Sequence, residues 1–348
     1  VYSAQPDRLY RNRGDGKFDD VTAKTGIIAV HEPTLGVLAA DFNGDGWLDI
    51  YVANDGRPNQ LWLNGQDGSL REDAFFSGVA VNMAGAAEGS MGVAAGDFDN
   101  DGDEDLFMTH LTGETNTIYV NDGQGLFEDR SIASGLGPAS KAFTGFGTGW
   151  LDFDNDGWLD VFVANGEVSL LRGQSDASDR YPLHQPNQLF RNRDGSGFVE
   201  VTAESAPALG RSETSRGVAL GDVDSDGDTD ILVANNNGPA RLLLNNLGQS
   251  ARWVGLRTLD RTGRDALGAR VELHRTDGRV LWRSARTDGS YASASDPRVL
   301  FGLGEAGAVR EVRVHWPDGR IEVWSGLPRD RYTTIRYGQG KAVQGRVP

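Results

Sequence analysis

One block of sequence recurs four times in the first 250 residues, and no other feature constrains the fold as tightly. It reads GVLAADFNGDGWLDIYVAN from Gly36, GVAAGDFDNDGDEDLFMTH from Gly92, GTGWLDFDNDGWLDVFVAN from Gly147 and GVALGDVDSDGDTDILVAN from Gly217. The first aspartate of each acidic stretch falls at 41, 97, 152 and 222, giving spacings of 56, 55 and 70. Repetition at a period of tens of residues points to one supersecondary unit laid side by side.

Each block is followed by an asparagine-bounded segment: NQLWLN from Asn59, NTIYVN from Asn116, NQLFRN from Asn187 and ARLLLN from Ala240. A fifth copy, DRLYRN, opens the chain at Asp7. A glycine turn and a further short strand come next, as in GKFDDVT from Gly16, GLFEDR from Gly125 and GFVEVT from Gly197. Four short strands per unit, joined by Asp-Gly turns, is the pattern of a propeller blade. The expected fold is therefore all-β, a β-propeller of about four to five recognisable blades over residues 1–250. Because the chain opens on the last two strands of a unit, the two ends of this region are expected to share a blade and close the ring. The polar stretch Gly166–Pro186 reads as a surface loop.

The acidic stretches share the pattern D-x-[DN]-x-D-G-x-x-D. Their side-chain ligand candidates are Asp41, Asn43, Asp45 and Asp49; Asp97, Asp99, Asp101 and Asp105; Asp152, Asp154, Asp156 and Asp160; and Asp222, Asp224, Asp226 and Asp230. Trp47, Asp103, Trp158 and Asp228, at the seventh position, are expected to offer a backbone carbonyl. Carboxylates this dense repel one another unless a cation sits among them. An all-oxygen set on a flexible loop suits calcium better than magnesium, and without cysteine or histidine it does not suit zinc or copper. About four Ca²⁺ are expected. An EF-hand would need a glutamate at the twelfth position and a helix behind it, but Val52, Met108, Val163 and Val233 stand there in strand-like runs.

Charge divides the chain at the same point as the repeats. Residues 1–250 carry 16 Lys+Arg against 39 Asp+Glu, and residues 251–348 carry 18 against 11. The acidic body argues against nucleic acid as a partner. No cysteine is present, which excludes disulfides, thiol nucleophiles and zinc-thiolate sites. No apolar run reaches the length of a membrane span. With no signal peptide visible and Val1 first, the simple expectation is a mature or trimmed chain.

Residues 251–348 are expected to form a small β-sandwich-like domain. WVGLRTL, ARVELHR, RVLWRSA, REVRVHW and RIEVWSG alternate as strands, with TDGR, TDGS and PDGR as turns. Trp282, Trp316 and Trp324 are expected in its core.

At these residues the chain resembles the FG-GAP/VCBS repeat family, whose calcium loops are similar to those of integrin α-subunit propellers. GARV at Gly268–Val271, GSYASASDPRVLFGLG at Gly289–Gly304 and VHWPDGR at Val314–Arg320 resemble the ASPIC/UnbV domain. The combination resembles the cartilage acidic protein family and its bacterial relatives, which implies a calcium-stabilised propeller on a periplasmic or secreted protein.

Catalytic signals are sparse. The histidines are scattered, and no HExxH, G-x-S-x-G, P-loop or dinucleotide fingerprint occurs. His110 stands where the other repeats have Asn, and is expected as a plain surface histidine. Arg13-Gly14-Asp15 reads as a hairpin turn. The expected function is non-enzymatic: an extracytoplasmic, calcium-stabilised module for protein interaction or assembly, as an accessory subunit of an envelope or membrane-bound complex. The alternative is a carbohydrate-binding or carbohydrate-active propeller, of lyase or dehydratase type, with a glycan as partner.

Overall fold

The structure, a computed structural model, describes residues 4–27, 31–170, 181–202, 208–305 and 307–343. Each repeat folds into one antiparallel sheet whose strands follow sequence order. Blade one comprises Thr34–Ala40, Asp49–Asn54, Gln60–Asn64 and Leu70–Glu72. Blade two comprises Val93–Gly96, Asp105–Met108, Thr117–Asn121 and Phe127–Asp129. Blade three comprises Gly145–Leu151, Asp160–Asn165, Gln188–Asn192 and Phe198–Glu200. Blade four has three strands, Ser215–Gly221, Asp230–Asn235 and Arg241–Leu243.

The first strands of successive blades lie beside one another. They can do so because they are built from glycine and alanine: a Cβ on Gly92 would lie 1.9 Å from Phe146 O, and one on Gly147 2.6 Å from Arg216 O. Apolar second strands then stack blade on blade. Leu38, Phe42, Tyr51 and Leu61 of blade one pack on Val93, Leu106, Met108 and Tyr119 of blade two. Phe98, Phe107 and Ile118 meet Leu159, Val161 and Phe190 of blade three. Leu151, Phe153, Phe162 and Leu189 meet Val218, Ile231 and Val233 of blade four. Full burial of each such side chain contributes roughly 1.5–3 kcal/mol.

Among the described residues the ring is not closed by a shared blade. There, Tyr10–Asn12 and Phe18–Asp20 pair with each other and with no further strand, and Leu9 and Ile27 pack over Val52 and Trp62 of blade one. The outer face of blade four is accordingly open: Leu232 is 45% exposed, whereas its counterparts Tyr51, Phe107 and Phe162 are 0% exposed. The sequence pattern of the outer strands matched a blade half, but pairing depends on where that half packs. Arg13, Gly14 and Asp15 lie in the hairpin turn, where Arg13 N–H donates to Lys17 O at 3.0 Å. Residues 171–180 of the expected 166–186 loop lie outside the described residues, and Gln185–Pro186 forms a short ladder with Ser212–Glu213.

The C-terminal region is a two-sheet sandwich. Val299–Gly304, Arg252–Leu259 and Tyr332–Arg336 form one sheet, in which the last two strands run parallel. Val280–Ser284, Arg270–Arg275, Val309–His315, Ile321–Ser325 and Lys341–Val343 form the other. Val254, Leu256, Val271, Leu273, Phe301, Val312 and Trp316 fill the space between them, with Trp324 half-buried alongside. Trp282 departs from expectation. It alternates to the other side of its strand and lies against Gly102 of blade two, with the Arg270 guanidinium 4.7 Å above its ring.

The sandwich reaches into the propeller axis. Its segment Ala285–Arg298 runs past the first strands of all four blades, bonding Ala39, Val93, Thr148 and Leu220 in turn. Among the described residues no helix is long and apolar enough to cross a membrane.

Candidate metal centres

Each acidic loop joins the first strand of a blade to the second, and its backbone is folded by its own carboxylates. At position one, Asp41, Asp97, Asp152 and Asp222 accept the N–H of position five through Oδ1, at 3.1, 3.1, 2.9 and 3.2 Å. Oδ2 accepts the N–H of the following glycine at 2.9, 3.0, 2.9 and 2.9 Å. That glycine (Gly46, Gly102, Gly157, Gly227) has φ of 87°, 104°, 99° and 97°, which L side chains rarely adopt. At position five, Asp45, Asp101, Asp156 and Asp226 accept the N–H of position seven: Trp47, Asp103, Trp158 and Asp228.

Position nine closes the loop. Asp49, Asp105, Asp160 and Asp230 are buried, and their Oδ2 accepts the N–H of Phe42, Phe98, Phe153 and Val223. Their Oδ1 accepts the N–H of Asn64, Asn121 and Asn192, which end the third strands, and of Asn245, two residues past the end of the third strand in blade four. These asparagines also donate sideways. Nδ2 of Asn121, Asn192 and Asn245 bonds Phe42 O, Phe98 O and Phe153 O of the preceding blade at 2.9, 2.8 and 2.8 Å. Their recurrence is visible in the sequence, but a bracing role is not, because it depends on how far apart neighbouring blades sit.

The predicted ligand residues do converge. Asp97, Asp99 and Asp101 bring carboxylate oxygens within 4.8 Å of one another, as do Asp152, Asp154 and Asp160, and Asp222, Asp224 and Asp230. The first loop, with Asn43 at position three, is not among these trios. Its Asn43 Nδ2 instead donates to Asp45 Oδ2 at 3.3 Å. Asp99 Oδ1 and Asp154 Oδ1 are buried with no hydrogen-bond donor among the described residues. A buried oxygen left this way is costly, and an all-oxygen set of this density fits a hard cation such as a divalent metal ion.

Electrostatics agree with that reading. Burial raises the pKa of Asp49 and Asp152 to about 7 and of Asp99 to about 6, with neighbouring carboxylates adding to the rise. Asp97, Asp105 and Asp160 are pushed well above the usual carboxylate range for the same first reason. The half-buried Arg283 lies close enough to Asp97 and Asp152 to oppose the rise in both. At position seven, Asp228 is buried, accepts from Asn155 Nδ2 at 2.9 Å and is raised to about 7 by burial. At loop three, Arg191 pairs with Asp154 Oδ2 at 2.8 Å, leaving the other oxygen facing inward.

His110 is not on the surface. It is 1% exposed, with Nε2 3.1 Å from Ser90 Oγ and Nδ1 2.9 Å from Thr115 O. Burial lowers its pKa to about 4, so it is a neutral hydrogen-bonding group in the interior. Position along a strand suggested a face; the connections that carry Ser90 and Thr115 close over it.

The FG-GAP-like repeat matches this chain over residues 1–52, 41–108, 104–163 and 152–233, and the FG-GAP repeat over 215–254. ASPIC and UnbV matches residues 259–342. Cartilage acidic protein 1 of Homo sapiens is 26% identical over 324 residues, covering 91% of this chain and 38% of that protein. The Xenopus tropicalis protein of the same name is 27% identical over the same shares. The chain thus spans about two fifths of these relatives' length. Among solved structures, an Agrocybe aegerita lectin that recognises non-reducing terminal N-acetylglucosamine superposes with a TM-score of 0.42 at 17% identity, over 92% of this chain and 83% of that one. The V. cholerae biofilm matrix protein Bap1 gives 0.31 at 13%, over 92% and 62%. These likenesses are loose, and the assignment rests on the repeat matches, which run through the four acidic loops and most of the chain's length. The chain belongs to the FG-GAP-like repeat family and carries an ASPIC and UnbV domain behind its repeats.

Proposed function

We propose that this protein is an extracytoplasmic interaction or assembly module whose propeller is held in shape by calcium, one ion in each of the four acidic loops. The observation that carries this reading is the fourfold repetition of one hydrogen-bonded loop geometry, with carboxylates that converge in loops two to four and buried, unpartnered oxygens at Asp99 and Asp154. Calcium accepts six to eight oxygens with flexible geometry, and loops of this kind suit the millimolar calcium found outside cells. Relatives named for cartilage and acidity agree with such a setting. In this reading residues 1–250 are the calcium-dependent scaffold, and residues 251–348 are a basic partner domain seated on it. The acidic body suits protein partners, including a membrane-bound complex, rather than nucleic acid.

Thermal unfolding with and without chelator tests the calcium reading. A site held at one hundred times its Kd stabilises by about 2.7 kcal/mol, so several sites together shift the midpoint by roughly 10 °C or more. A melting temperature indifferent to both chelator and added calcium would refute it. Affinity capture from native membranes, with calcium present, tests the interaction role; recovery of the chain alone counts against it.

A further inference from the structure

The cation loops are also the surface on which the C-terminal sandwich sits. In loop two, Gly102 O accepts from Arg270 Nη2, and Trp282 covers the glycine itself. In loop three, Gly157 O accepts from Arg283 Nη2 at 3.3 Å, and Asn155 O accepts from Gly304 N–H at 2.8 Å. In loop four, Tyr332 Oη donates to Asp222 Oδ2 at 2.9 Å, Arg298 Nη2 donates to Asp222 O at 2.5 Å, and Trp253 lies where a side chain on Gly227 would go. The loops are tied to one another as well: Asn100 Nδ2 reaches Gly157 O at 3.4 Å, and Asn155 Nδ2 reaches Gly227 O at 3.0 Å.

We propose that the sandwich is a cation-dependent plug of the propeller axis, seated by the same loop conformation that binds the ions and released when they leave. This rests on the calcium reading and extends it. The plug is Ala285–Arg298. Arg286 bonds Ala39 O and Ala95 O, both at 2.8 Å; Ser290 exchanges backbone bonds with Val93; and Asp296 N–H bonds Leu220 O at 2.9 Å. Those bonds form only if the sandwich rests on loops two to four. Without a cation, four or five carboxylates crowd each of these loops, and their repulsion moves the very carbonyls and glycines the sandwich touches. With one divalent ion the loop remains anionic, so Arg270, Arg283 and Arg298 are still attracted to it. Linkage makes the effect reciprocal: whatever cations contribute to seating, seating contributes to cation affinity.

Hydrogen exchange on the full-length chain, read by mass spectrometry beside calorimetric calcium titration, tests this. Chelation should speed exchange at least tenfold in peptides covering 286–298 and 253–259. The Tyr10–Asp20 hairpin, which among the described residues shares no hydrogen bond with an acidic loop, should change far less. Tyr332→Phe, which removes only the hydroxyl on Asp222, should weaken one class of calcium site several-fold and leave the rest unchanged. Calcium binding with normal heat but no change in 286–298 exchange on chelation would overturn the plug and leave the calcium reading intact. Absence of any binding heat would overturn both. If Tyr332→Phe proves unstable, Arg298→Met supplies the same comparison at loop four, and unchanged affinity in it would count against the coupling.

Discussion

Loops one and three have almost the same sequence and share the hydrogen bonds accepted at positions one, five and nine, yet they live in different surroundings. Loop three is roofed by the sandwich: Asp152 and Asp160 are buried, and a Cβ on Gly302 would lie 2.3 Å from Asp152 Oδ2. Loop one meets the sandwich at Leu48 and Gly268, the Arg270 charge reaches Asp41, and Trp47 is 49% exposed. The motif therefore dictates the backbone, while the roof decides how strongly a charge there is felt. Four copies of one motif need not be four equal sites.

Substitution at position nine should separate the two most widely. Asp160→Ala leaves the N–H groups of Phe153 and Asn192 unpaired in the interior, at a cost of about 3 kcal/mol or more in urea unfolding. Asp49→Ala strands Phe42 in the same way, but its bond to Asn64 is only half-buried, so water can replace that one and should hold the loss to about 1–2 kcal/mol. Equal losses would mean that the roof adds nothing.

The braces give a smaller contrast. Asn192→Ala removes bonds to Leu159 O and to Phe98 O of the preceding blade, whereas Asn64 Nδ2 bonds only Leu48 O of its own loop. Losses of about 2 and about 1 kcal/mol follow at roughly 1 kcal/mol per hydrogen bond.

Acidity offers a third comparison. The folded pKa of Asp49 and of Asp152 is raised to about 7 from 3.8. For an acid raised in the fold, the stabilisation is fully present below the unfolded value and is lost as pH rises through the folded one. Cation-free protein should therefore lose stability between pH 4 and 7, seen as a falling urea midpoint. Saturating calcium, which favours the ionised carboxylates, should flatten or reverse that slope. The smallest effect expected is Asn43→Asp, which gives loop one its fourth carboxylate and should tighten one calorimetric site several-fold.

Much of this was legible before any coordinates. The blade strands, the loop positions and the glycine at position six follow from local spacing, and all lie where the repeat put them. What was hidden depends on neighbours. Asn121 and Asn192 repeat plainly, but their reach to Phe42 and Phe98 is set by inter-blade distance. Trp282 had the alternation of a core residue, yet its side of the strand faces blade two. His110 looked like a rim residue, but the connections that carry Ser90 and Thr115 bury it. The open face of blade four, with Leu232 and Leu242 exposed, contradicts the closure that strand arithmetic suggested.

The parallel pairing inside the sandwich bears on how the protein is made. Arg252–Leu259 leaves the ribosome directly after the fourth blade, but its partner Tyr332–Arg336 is translated roughly eighty residues later. At ~5–20 residues per second that is a wait of roughly 4–15 s, during which the nascent blades can stack while their axis stays vacant. Vectorial synthesis thus delivers the four blades before the domain that seats on them is complete.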